Sequence, residues 1–242
     1  MNEILESLYE RKSVRKFEDR NILPSDKETI LLAAMEAPTA GNQQLYTILD
    51  ITDQQLKNSL AVSCDNQPFI AEAPMVLIFC ADFQKWYDAF QEGGCDPRLP
   101  GVGDMMLAVE DSVIAAQNSV MAAQSLGIGS CYIGDIMERC EEHREMLNLP
   151  EYVFPASMLV FGYPTEQQRN RPKPKRCDLK YMVHTNHYHR MNGEELRAMF
   201  QKELSMQSYE KWSTAFCKRK YNSDFSKEMT RSVREYLNSF GY

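Results

Sequence analysis

Apolar positions recur at helical spacing at the start of the chain, where Ile4, Leu5 and Leu8 line one side of Asn2 to Glu10. A short amphipathic helix is expected there, delivering the basic run Arg11-Lys12-Ser13-Val14-Arg15-Lys16-Phe17 at its exit. Pro24-Ser25-Asp26 reads as a second helix start, with Ile30, Leu31, Ala34 and Met35 facing inward and Pro38 with Thr39-Ala40-Gly41-Asn42 as the stop. Leu45 to Ile51 alternates as a strand does, Gln54 to Cys64 is helical in pattern, and Pro74 to Cys80 is a solid apolar run that predicts a strand buried on both faces. Gly93 to Gly103 carries loop chemistry. Asp104 then caps an Ala-rich helix running to about Leu126, whose large apolar residues spread round the axis and suit a helix packed on most sides. Ser130 to Ile133 and Met158 to Phe161 complete four strands. Strands and helices do not alternate strictly, so the expected class is α+β, a mainly antiparallel central sheet flanked by helices.

The pattern changes after Asp178. Gly193 to Glu203, Gln207 to Phe216 and Lys227 to Phe240 read as helical pieces without a strand to pack against. Residues 1–178 are therefore expected to form the main domain, and 179–242 a helical extension lying on that body or on a partner subunit. No internal repeat is visible.

Composition narrows the class. The 242 residues, 43% hydrophobic and 25% charged, are ordinary globular values and exclude wholesale disorder. The longest apolar run, Ala73 to Ala81, falls far short of the roughly 20 residues that span a bilayer. The first residues are acidic where a signal peptide is basic, so a cytoplasmic location is expected. Seven cysteines, none spaced C-x-x-C, argue for reduced thiols rather than a disulfide framework or zinc ribbon. A net charge of −7 argues against nucleic acid as partner. The charge is uneven, since the chain from Met191 onward holds 9 Lys and Arg against 7 Asp and Glu.

Candidate chemistry begins at Arg11, Ser13 and Arg15, which point one way in an extended segment. Guanidinium forks with a hydroxyl suit a phosphate dianion; a solvated basic patch is the plain alternative. Arg171-Pro172-Lys173-Pro174-Lys175-Arg176 is a second cationic run, either a polar linker or the other half of one anion site. Gly127, Gly129 and Gly134 do not make a dinucleotide fingerprint, because a helix precedes and a strand follows. Gly134 ends a strand where a flat ligand could approach the backbone. His184, His187 and His189 are read as a surface cluster, and no metal is expected. No acid, base and nucleophile constellation emerges, which suits chemistry borne by a cofactor.

Five ordered motifs carry a resemblance: Arg11-x-Ser13-x-Arg15-x-Phe17, Pro38 to Gln44, Asp65-Asn66-Gln67-Pro68, Ser125 to Gly134, and Lys173-Pro174-Lys175. Together they resemble the FMN-dependent nitroreductase and flavin reductase family, in its larger members with a C-terminal helical extension. The resemblance implies that Arg11, Ser13 and Arg15 hold the FMN phosphate with Lys173 and Lys175. It implies that Thr39, Ala40, Gly41, Asn42 and Gln67 meet the ribityl chain and ring, and that Tyr132, Ile133, Gly134 and Asp135 flank the isoalloxazine. The Gly134 or Asp135 amide is then expected to face flavin N5. It further implies a homodimer, and transfer of hydride or electrons from NAD(P)H to a nitroaromatic, quinone or flavin by a ping-pong mechanism. Close relatives show K-P-R where this chain has Lys173-Pro174-Lys175, so the bidentate fork is missing unless Arg176 supplies it. Lys218-Arg219-Lys220 stands in for a longer arginine-bearing loop that reads NADPH. A flavin-binding carrier or redox sensor without turnover is the alternative, and a basic-patch interaction protein without cofactor is a third reading; flavin colour and anaerobic reduction separate them.

Overall fold

A computed structural model describes residues 1–204 and 207–241. The chain divides into two compact units, one made of residues 1–171 with 228–242, the other of 172–227. The first unit opens with α1 (Glu3–Glu10), α2 (Pro24–Met35), β1 (Tyr46–Asp50), α3 (Gln54–Ser63), α4 (Phe69–Glu72) and β2 (Met75–Asp82). It continues with α5 (Gln84–Glu92), α6 (Val102–Ser125), β3 (Gly129–Ile133), α7 (Cys140–Leu147), β4 (Val153–Gly162) and α8 (Glu166–Asn170). The second unit holds α9 (Gly193–Phe200) and α10 (Tyr209–Phe216), and α11 (Asp224–Ser239) returns the chain to the first.

The four strands form one antiparallel sheet in the order β1-β2-β4-β3. Every residue of the two inner strands, β2 and β4, is buried, which is why β2 and the Met158–Phe161 part of β4 read as apolar runs rather than alternating ones. β4 starts earlier than its Met158 to Phe161 core because Val153 to Ser157 also pairs, with the register slipping between Phe79 and Cys80 opposite Ser157 and Pro155. A proline has no N–H for the ladder, so the bulge is where a central strand can tolerate it.

Two cores lie on the two faces. On one, Ile30 and Ala34 of α2 and Ala115, Ala116, Val120 and Ala123 of α6 pack on Leu77, Phe79, Leu159 and Phe161. On the other, Leu60 of α3 and Ile70 of α4 pack on Val76, Ile78, Met158 and Val160. α6 differs from the sequence expectation in two ways. Gly101 is its N-cap, and Asp104 sits in the first turn, accepting from the Gly101 N–H at 2.7 Å and pairing with Arg98 at 2.9 Å. Its small residues face the sheet, whereas Met106, Leu107, Val113 and Ile114 stay 40% exposed or more within this chain. α1 likewise leaves Ile4, Leu5 and Leu8 exposed. α7 was not anticipated, because its apolar positions are few among charges.

α11 packs within the first unit. Tyr236 is fully buried and, with Phe240, joins Leu45, Met105, Ala108 and Phe154 in a third core. Arg231 clasps Glu141 of α7 with two bonds of 2.8 Å and also takes Glu228. The second unit has a small aromatic cluster of its own, Trp212 lying 4.9 Å from Phe200 and stacked on Phe216 at 5.3 Å. Within it the histidines are mutually engaged, His189 bonding Glu195 at 3.0 Å and donating its backbone N–H to His184 Nδ1. No helix among the described residues is long and apolar enough to cross a membrane.

Candidate functional site

The basic run leaves α1 extended. Val14 donates to the Ser130 carbonyl at 2.9 Å, and Ser13 forms a parallel bridge with Ser130, so residues 11–15 run beside β3. Val14 is buried, and alternation in an extended chain turns Ser13 and Arg15 to the opposite side. All three candidate groups act on Cys131 of β3. Burial pushes the Cys131 thiol up from its ordinary value, and the Arg15 charge, the Ser13 hydroxyl and the Arg11 charge all pull it back. Arg11 also reaches Tyr132, whose phenol burial pushes up to about 12 against the pull of that guanidinium. Arg11 Nη1 is buried without a hydrogen-bond partner among the described residues. A guanidinium N–H left in that state costs free energy, and an anion placed against it recovers that cost.

Sequence reasoning missed what supports this segment. Lys12 does not join the cluster; its Nζ donates to the Arg169 and Arg171 carbonyls at 2.5 Å each. Arg15 N–H donates to Gln168 Oε1 at 3.3 Å, and Arg171 Nη2 donates to the Ser13 carbonyl at 2.6 Å. These contacts join positions more than 150 residues apart, so no local pattern marks them. Lys173 and Lys175 belong to the second unit.

Thr39 precedes a 3-10 turn over Ala40–Asn42, in which Gly41 and Asn42 take positive φ of 56° and 57°. The turn is held by Asp111 of α6, whose two carboxylate oxygens accept from the Ala40 N–H at 2.9 Å and the Leu45 N–H at 3.1 Å. Thr39 Oγ1 accepts from Gln44 at 3.2 Å, and Trp86 Nε1 donates to the Gln43 carbonyl at 2.7 Å. A buried acid on the sheet-facing side of an alanine-rich helix was the available signal for Asp111.

Gln67 follows a turn whose Asp65 and Asn66 both have positive φ. Its Nε2 donates to Asp135 Oδ2 at 2.9 Å and to the Cys64 carbonyl at 2.8 Å. Two motifs far apart in sequence are thus in direct contact. Asp135 opens a 3-10 turn closed by Met137 N–H to Gly134 O and Glu138 N–H to Asp135 O, each 3.0 Å. The amides of Gly134 and Asp135 lie ahead of this ladder, as the first N–H groups of any helical turn do. Ile133 is a core residue, packed with Ile136, Met158 and Val160, so only its backbone is available to a ligand. Tyr132 donates its hydroxyl to Gln117 of α6 at 3.3 Å. α6 therefore carries contacts to both the 39–42 turn and the β3 end. His143 underpins the region: its Nδ1 bonds the Ile136 carbonyl at 2.9 Å and its Nε2 the Ser63 hydroxyl at 2.8 Å. A carbonyl only accepts, so the ring proton sits on Nδ1 and Nε2 accepts from Ser63.

The sheet and α6 thus position an extended cationic segment beside β3, a turn held by Asp111, and a strand end whose Asp135 is bonded by Gln67. The chain belongs to the nitroreductase family, whose family model matches residues 8–163. It is 28% identical over 251 residues to an FMN reductase [NAD(P)H] of Bacillus subtilis, covering 100% of this chain and 94% of that one. It is 30% identical over 248 residues to a Cr(VI) reductase of a Pseudomonas species, covering 99% and 98%. Among solved structures, the NADPH:FMN oxidoreductase of Vibrio harveyi complexed with NAD+ superposes with a TM-score of 0.84 at 27% identity, covering 99% of this chain and 98% of that one. The orphaned Arg11 Nη1, with Ser13 and Arg15 beside it, fits the phosphate of FMN.

Proposed function

We propose that this chain is an FMN-dependent oxidoreductase that draws reducing equivalents from NAD(P)H and delivers them to a small planar acceptor such as a nitroaromatic, a quinone or a flavin. The observation that carries the reading is the buried, unpartnered Arg11 Nη1 at the point where Arg11, Ser13 and Arg15 converge. When bound, FMN supplies the hydride chemistry. The chain supplies the rest. Arg11, Ser13 and Arg15 bind the phosphate, and the family resemblance adds Lys173 and Lys175 to that role. Thr39, Ala40, Gly41, Asn42 and Gln67 orient the ribityl chain and ring. Tyr132 and the backbone of Ile133, Gly134 and Asp135 line the ring, with the Gly134 or Asp135 amide holding a donor where charge develops. One stacking face serving donor and acceptor in turn gives ping-pong kinetics.

Names of the relatives support turnover over a carrier role, because each is called a reductase or an oxidoreductase. A homodimer is supported by the uncovered apolar side of α1 and α6, where Ile4, Leu5, Leu8, Met106, Leu107, Val113 and Ile114 are all exposed in the single chain. The described cysteines are all free thiols, which suits the reducing cytoplasm.

The test is reconstitution followed by anaerobic mixing. FMN at about one equivalent per chain, bleached by NADPH or NADH and recoloured by an acceptor, with parallel lines in steady-state plots, is the expected outcome. Retention of FAD instead, or bound FMN that neither nucleotide reduces, overturns it.

A further inference from the structure

Glu138 is the residue whose setting the proposed reaction leaves unexplained. It is 96% buried by solvent exposure, at 4% accessible, and its Oε1 has no hydrogen-bond partner among the described residues. It closes the turn that carries Gly134 and Asp135, donating its N–H to the Asp135 carbonyl. The charged groups around it are mostly of one sign: Asp135 from its own turn, Asp65 from the turn after α3 and Glu228 from α11, against Arg139 next in the chain. Arg139 is a weak counterweight, since its guanidinium pairs with Glu142 at 3.1 Å. Glu228 stays ionised because Arg231 and Ser232 hold it down to about 2. Cys64 and the neutral ring of His143 are the other titratable groups packed there, and neither offers a positive charge.

We propose that the Glu138 carboxyl is a positioning group for the cofactor-facing turn, coupling its own protonation to flavin binding through the Asp135 to Gln67 contact. This rests on the reading of Gln67 and Asp135 as flavin contacts. With its proton on, Glu138 is a neutral neighbour, and Asp135 is free to accept from Gln67 Nε2 at 2.9 Å. With its proton off, a buried anion stands beside Asp135, Asp65 and Glu228. The repulsion is relieved when Asp135 turns away, which releases Gln67. The burial and the acid neighbours push Glu138 up to about 7, so the change falls where it matters at ordinary pH. FMN brings more negative charge, so it binds the neutral form better. By linkage, FMN must then draw a proton onto Glu138 to the same extent that the proton favours FMN.

The experiment is an equilibrium titration of the full-length apoprotein with FMN, read by flavin fluorescence across a pH series, for the parent, Glu138→Gln and Asp65→Asn. Glutamine keeps the shape of the protonated acid, and asparagine tolerates the positive φ at position 65. The parent is expected to lose affinity about fivefold or more as pH rises through the Glu138 transition. Glu138→Gln is expected to hold the low-pH affinity throughout, and Asp65→Asn to move the midpoint to lower pH. Changes in the FMN phosphate itself are common to all three proteins and cancel in the comparison. A parent profile that is flat, or a Glu138→Gln profile that matches the parent, overturns the coupling. Failure of all three to bind FMN at any pH instead overturns the flavin reading of the site.

Discussion

Val14 occupies the space that a side chain at Gly129 would need: a Cβ there would lie 2.5 Å from Val14 Cγ2 and 2.9 Å from Val14 Cβ. The 11–15 segment can thus lie against β3 only because position 129 is bare. Gly129→Ala is expected to push that segment off the strand, scattering Arg11, Ser13 and Arg15 and weakening FMN binding by about tenfold, or about 1.4 kcal/mol. Adding Val14→Ala removes the Cγ2 contact at 2.5 Å but keeps the Cβ at 2.9 Å, so the double variant should recover only part of the loss. Flavin titration of the four proteins in this cycle measures the coupling directly.

Arg11 separates binding from stability. Arg11→Ala removes a buried N–H that has no partner among the described residues, so the apoprotein should unfold at the same temperature or higher. FMN affinity should fall by about 1.5–3 kcal/mol, the value of a hydrogen bond to a charged group. Arg15→Glu should lose the flavin during gel filtration, since it adds repulsion to the lost bond. Paired thermal melts with and without FMN check both.

Asp111 bonds both ends of the 40–45 loop. Asp111→Ala leaves the Ala40 and Leu45 amides without this acceptor, at about 1–3 kcal/mol for the buried Leu45 amide and less for the half-buried Ala40 amide. Urea denaturation should show the loss, and Asp111→Asn, with one acceptor oxygen left, should fall between.

The buried imidazole of His143 gives a signed pH dependence. Burial pushes its pKa down from 6.5, opposed by the bond to Ile136. The unfolded chain therefore binds more protons than the folded one below about pH 6.5, and stability falls as pH drops through that window. His143→Gln, which cannot charge, should be less stable near neutrality and should show a shallower decline on acidification. Denaturation midpoints at a series of pH values check the slope.

Lys218, Arg219 and Lys220 form a π-helical turn in the second unit, with Arg219 5.2 Å from the Phe216 ring. If the triplet reads the 2′-phosphate, triple alanine substitution should raise KM for NADPH and leave KM for NADH unchanged. Turnover of acceptor by dithionite-reduced enzyme should not change.

Legibility in the sequence followed locality. Strands β2 and β4 could be read because a strand buried on both faces is apolar throughout, and the cationic run could be read because its residues are neighbours. α7 could not, since Cys140 and His143 are its only buried positions and a three-residue spacing among charges is no pattern. The Gln67 to Asp135 bond and the Asp111 clamp joined segments that only the sheet brings together. Whether α11 lies on the body or on a partner was not legible, because its amphipathic stripe says that it packs and not on what; Tyr236 packs in the third core.

That return of α11 changes what kind of object residues 172–227 are. Anchored at both ends in the same folded body, they form an insertion rather than a tail. A protease that cuts once inside them leaves both fragments attached, the C-terminal one by the buried Tyr236 and the Arg231 clasp. An insertion can also be exchanged whole for another, since closing a longer loop costs only slowly more entropy. The body would keep its clamp and its core while the excursion changed length and sequence.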